Sequence, residues 1–190
     1  MHPRPIPLLL LLGLCAGCAG QSTVKPVEAL DERTGVTVGA LKAPLELVPS
    51  AQFAALNSHK RLSFAYLGPV EWNRSGVLSY GLWIHIAPGN GVQPGDIRAT
   101  DALTLILDDG PLALSPIETP LGMGPYRPVA SWGQTGYFEL TVETLRRMAA
   151  SRKLELDVRA ADGSVIAFSP TLDSHRALSE YMRDRGITDD

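Results

Sequence analysis

Cysteine is almost absent from this chain. Cys15 and Cys18 are its only two, three positions apart behind a leucine run, and residues 19–190 hold none. That excludes a disulfide framework, thiol catalysis and cysteine-based metal sites from everything beyond residue 18. Charge is sparse as well: 17 basic and 20 acidic residues leave a net −3, no electrostatic reason to seek nucleic acid or anionic lipid. The apolar run Ile6–Leu14 falls well short of the ~20 residues of a membrane-spanning helix. Catalytic signatures are missing too. There is no HExxH or HxH pair and no GxSxG elbow, and the glycine-rich "GNGVQPG" at 89–95 leads into a hairpin, not into a helix N-terminus that holds phosphate. The carboxylates of "DDG" at 108–110 and "DG" at 162–163 lack the alternating oxygen ligands of a calcium loop and read as turns. Neither metal nor cofactor is implied.

What the amino terminus does have is Arg4, the apolar run, and small residues around Cys18, the layout of a secretory signal peptide. "CAGC", Cys15–Cys18, resembles the lipobox of bacterial lipoprotein precursors. Ala16, Gly17 and Cys18 match; Cys15 stands where leucine is usual, with Leu14 one place early. The resemblance covers residues 1–18 only. It implies that Cys18 takes a diacylglyceryl thioether, that residues 1–17 are removed, and that the new amino terminus is acylated. Two or more acyl chains, at about 0.8 kcal/mol per buried methylene, hold a protein stably on a bilayer. Ala19 after the cysteine resembles the pattern of sorting to the outer membrane. The expected place is therefore the outer membrane, facing the periplasm and anchored through Cys18. The competing expectation is cleavage after Ala19, giving a soluble periplasmic or secreted protein.

The remaining 173 residues suffice for one domain with a real core, and their net charge is −4 because the leader holds one basic and no acidic residue. Residues 18–33 read as the lipidated N-terminus and a polar tether. At ~3.3 Å per residue the segment 19–33 reaches about 50 Å, unless part of it packs as an edge strand. The domain is expected over 34–190. "TGVTVGAL", "PLELV" and "KRLSFAYLGPVEW" carry strand periodicity, the last interrupted or bulged at Gly68-Pro69. "GVLSYGLWIHIAP" sets Leu78, Tyr80, Leu82, Ile84 and Ile86 on one face and Val77, Trp83 and His85 on the other, which predicts a central strand covered on both sides. A hairpin turns at 108–110, and the four prolines of "PIETPLGMGPYRPV" predict a long surface loop. "GYFELTV" is a strand, Thr141 an N-cap, and a second hairpin turns at 162–163. Helices are expected at about 142–152 and 172–185, the second burying Leu172, Leu178, Tyr181 and Met182 and ending at Gly186. The sum is a mainly β, α+β fold: an antiparallel β-sandwich or strongly curved sheet whose two C-terminal helices pack on one face or close one end.

Beyond the leader the histidines are His59, His85 and His175, far apart in sequence. His85, beside Trp83, is either a catalytic or ligand-facing imidazole or a hydrogen-bonded core residue. Asp101 is the loop carboxylate that would complete acid–base chemistry with it. Trp132 and Tyr126 flank the proline-rich loop and are the aromatic candidates for binding a glycan or apolar ligand; core packing is the bland alternative for both. The expected function is a non-catalytic binding or structural module for an envelope protein or glycan. The alternatives are an envelope hydrolase of glycan, peptide or ester, and a small-ligand carrier. Cys18→Ser should leave an unacylated protein that leaves the membrane fraction, checked by intact mass and partitioning; unchanged partitioning contradicts the anchor.

Overall fold

The computed structural model describes residues 26–50, 63–87, 89, 103–159 and 163–187. Cys18, His59, Asp101 and Asp162 lie outside these residues. Within them the strands are β1 (Pro26–Asp31), β2 (Val36–Leu41), β3 (Leu45–Pro49), β4 (Phe64–Arg74), β5 (Val77–Ala87), β6 (Leu103–Leu107), β7 (Gly110–Ala113), β8 (Gln134–Glu139), β9 (Leu154–Arg159) and β10 (Val165–Pro170). The helices are α1 (Val142–Ala150) and α2 (Ser174–Asp184). All strand pairs are antiparallel and belong to one open sheet in the order β1-β2-β4-β3-β10-β9-β6-β7, with β5 and then β8 branching from β4.

The branch is at the centre of the molecule. β4 and β5 form a long hairpin whose register is unbroken from Phe64 opposite Ala87 to Arg74 opposite Val77. Ser75 and Gly76, both at positive φ, make its two-residue turn, the geometry that matches strand twist. On its other edge β4 serves two partners. β3 pairs with Ala65–Leu67 and β2 with Val70–Asn73. The sheet thus divides around Gly68-Pro69, and its two arms share an inner face. Leu67, Leu82, Ile84, Ile86 and Phe138 of one arm are buried there with Leu103, Leu105, Leu156, Val158 and Phe168 of the other. Full burial of each such side chain contributes about 1.5–3 kcal/mol.

The helices complete this core. Thr141 caps α1 by accepting from Thr144 N–H at 3.0 Å, and Leu145 and Met148 are fully buried. α2 buries Ala177, Leu178 and Tyr181. Its cap is Asp173, so the helix starts later than expected and Leu172, expected inside, is exposed ahead of it.

Two further expectations change, and a third is refined. Pro26–Asp31, expected within the tether, pairs with β2 over all six residues and extends the sheet toward the amino terminus. Its alternation is invisible because all but its two end residues are exposed, so no apolar face marks it. Gly68-Pro69 neither breaks nor bulges β4; the proline costs only the ladder on one edge, where β2 and β3 leave a gap. The proline-rich segment 116–129 is the irregular, largely exposed loop expected, but it is fastened to the sheet, and Tyr126 within it is buried.

Tyr126 is the reason. Extending the β2–β4 register by one step sets Leu41 against Pro69. The ladder opens there, and the Tyr126 hydroxyl fills the gap, accepting from Leu41 N–H at 3.0 Å and donating to the Pro69 carbonyl at 3.2 Å. Gly68 lets the ring lie flat on the strand; a Cβ there would sit 2.5 Å from the ring. Tyr126→Phe strands two buried backbone groups and should cost about 2–4 kcal/mol by urea denaturation. A loss under about 0.5 kcal/mol contradicts this role.

Candidate functional site

The outer face of the branched arm is built by alternation: Tyr66, Gly68, Val70 and Trp72 of β4 lie beside His85, Trp83, Gly81 and Ser79 of β5. Segment 114–133 is laid across it. Ile117 N–H donates to the Tyr137 carbonyl at 2.7 Å, and Met123 N–H to Asp31 Oδ2 at 3.0 Å. Thr34, the Met123 amide and the Arg33 amide all donate to Asp31, holding its carboxyl below the usual carboxylate range. Beneath the segment runs a file of rings. Tyr126 lies 5.0 Å from Trp83, and Trp83 stacks on His85 at 5.8 Å with planes 18° apart.

His85 follows in that file, with Tyr66 6.2 Å beyond it, and is fully buried. Its Nε2 accepts from Ala130 N–H at 3.4 Å, so the proton is on Nδ1, 2.8 Å from Thr135 Oγ1. Burial lowers its pKa below the ordinary 6.5, which keeps the ring neutral and Nε2 free to accept. Above it, Gly133 N–H closes a four-residue turn onto the Ala130 carbonyl at 3.1 Å. Any Cβ at Gly133 would lie 2.4 Å from the His85 ring, so the turn rests directly on the imidazole. Ser131 and Trp132 occupy its corners. Trp132 is 71 % exposed and Val129 60 %.

Three sequence candidates therefore meet in one unit, with roles divided by burial. His85 is a core residue whose two nitrogens are both engaged, which leaves the hydrolase reading no free imidazole there. Tyr126, a candidate ligand contact, is sealed in and its hydroxyl is spent, so burial corrects that assignment. Trp132 alone faces water. Trp72 and Trp83 are core. His175 donates from Nδ1 to the Ala149 carbonyl in the crevice between α1 and α2.

Other polar clusters serve the fold. Asp108 accepts from the amides of Arg152 and Lys153, and Asp109 pairs with Arg147 at 2.7 Å, so the "DDG" turn clasps the end of α1. Arg185 lies over Gly39, pairs with Glu28, sits 3.7 Å from Glu71, and donates to the Val27 carbonyl at 3.0 Å. It ties the end of α2 to β1. Neither cluster was apparent in the sequence, because each joins residues more than thirty positions apart. Between α1 and α2 lies an open groove of about 600 Å³ lined by Arg146, Ala149, His175, Ser179, Met182 and Arg183. Among the described residues no group of three or more carboxylate, histidine or cysteine side chains is placed to hold a metal, and no helix is long and apolar enough to cross a membrane.

In comparisons with protein-family models, curated proteins and solved structures, the chain finds no match.

Because the folded His85 pKa is the lower one, the unfolded chain takes up the proton first. Its contribution to stability is whole above about pH 6.5 and is lost as pH falls from there toward the folded value. Glu71 acts in the opposite sense, since burial raises its pKa. The difference between wild type and His85→Gln isolates the imidazole: that difference should shrink as urea midpoints are followed from pH 7.5 to 5. A constant difference contradicts the neutral acceptor.

Proposed function

We propose that this protein is a lipid-anchored module of the outer membrane, facing the periplasm, that binds an envelope component without catalysing a reaction. Its contact surface is the turn Ala130–Gly133 with the preceding Arg127, Pro128 and Val129. One observation carries this: an indole is held in water by a turn that rests on the buried His85 ring and the buried Ala130. Isolated exposed apolar side chains are ordinary on a protein surface. Trp132 differs because His85, Gly133 and Tyr126 are all committed to fixing the loop that displays it. A contact already fixed in place loses little conformational entropy when it docks.

The anchor supports the same reading from the other end of the chain. Acylation of Cys18 would confine the module to a membrane surface, where a weak contact gains effective concentration.

A photo-activated benzophenone side chain placed at position 132 in intact cells should give an adduct that is absent when the same group replaces Leu172, which is also exposed. Equal labelling from both positions, or none from 132, contradicts the proposal. Trp132→Ala should leave the thermal midpoint within about 2 °C of wild type, since surface changes fall within about 0.5 kcal/mol.

A further inference from the structure

We infer that the component met by the Trp132 turn is the bilayer itself: the turn seats in the headgroup region of the membrane that holds the anchor and gives the domain a second membrane contact. This rests on the anchored reading above. It starts from where the amino-terminal segment joins the sheet. Pro26, the first residue of β1, is paired with Leu41. The amide of Leu41 is the one held by Tyr126. Pro26 is therefore one strand pairing away from the residue that holds the loop, and Trp132, six residues beyond Tyr126, is at most about 21 Å along the chain from that tyrosine.

The tether is also shorter than the sequence suggested. With β1 drawn into the sheet, only eight residue steps separate Cys18 from Pro26, a reach of about 28 Å when fully extended. A domain held that closely keeps its tethered side toward the lipid, and that side carries the loop.

The chemistry of the loop fits the headgroup boundary. Indole prefers that layer, with its ring in the apolar margin and its N–H toward water. Val129 adds branched aliphatic surface, and Arg127 can lie along it with its guanidinium at the phosphates. Residues 119–138 contain no carboxylate and a single charge, Arg127, in a chain whose net charge is −3. The protein as a whole has no attraction to anionic lipid, but this stretch places no negative charge against it. Leu121, Met123, Val129 and Trp132 are all exposed on the same segment. Val27 and Leu30 are exposed on β1, whose Asp31 holds the Met123 amide. Among the described residues, six of the ten large exposed hydrophobic side chains thus belong to the loop or to the strand that receives the tether.

Tryptophan fluorescence tests this directly, because Trp72 and Trp83 are buried and only Trp132 is free to meet lipid. The acylated chain is reconstituted into phosphatidylethanolamine–phosphatidylglycerol vesicles with and without brominated acyl chains. Bromine should remove about a third of the emission, one indole of three, and should remove none of it from Trp132→Phe. Because insertion is apolar, the loss should persist in 0.5 M salt. An acylated wild-type protein whose emission is unchanged by bromine overturns the inference and leaves Trp132 to a protein or glycan in the aqueous phase. The Cys18→Ser chain, added to the same vesicles, separates the two readings. If it sediments with them as the wild type does, the anchor reading fails, while the bromine result still decides the fate of the turn.

Discussion

A proline with no N–H to give stands in the middle of the strand on which both arms of the sheet depend. Pro69 lies where β4 passes from its pairing with β3 to its pairing with β2, and a missing donor in a buried ladder leaves backbone groups without partners. The protein meets this with a side chain from 57 residues away. The Tyr126 hydroxyl both accepts and donates in the gap through a single oxygen. Once that oxygen is fixed, its ring must lie over Gly68 and against Trp83, and the backbone on either side of residue 126 is held to the sheet.

The candidate site follows from the same constraint. Trp83 carries the fixed geometry to His85, and His85 supports the turn through its Nε2 and through direct contact with Gly133. A histidine that must stay an acceptor is useful here because burial keeps it neutral. The exposed indole is the end of a continuous file of rigid contacts that begins at a backbone defect. At the other edge of the arm, Arg185 and Asp31 hold β1, so the strand that would receive load from a membrane anchor is tied to α2 and to the loop.

Much of this fold was legible in the sequence. Leu82, Ile84 and Ile86 alternating with Trp83 and His85 announce a strand buried on both faces, and Thr141 announces the start of α1. These signals are local. β1 was hidden because pairing, not an apolar face, makes it a strand, and most of its side chains remain in solvent. Leu172 misled because an apolar residue ahead of the Asp173 cap imitates a helical stripe. At the site, the sequence drew attention to His85, Tyr126 and Trp132 but could not assign their roles. Burial decides those roles, and it depends on which strand lies under a segment with no period of its own. The one readable hint was glycine at 68 and 133, positions where another backbone or ring comes too close for a side chain.

The central claim is that segment 114–133 is fastened to the face of the sheet along its length, and backbone hydrogen exchange measures this most directly. The amides of Met123 and Ala130 lie within the segment and donate to Asp31 and His85, while that of Leu41 donates to Tyr126. They should exchange as slowly as amides at the centre of β5. Exchange of Met123 and Ala130 at the rate of an open loop, with β5 still protected, would contradict the account.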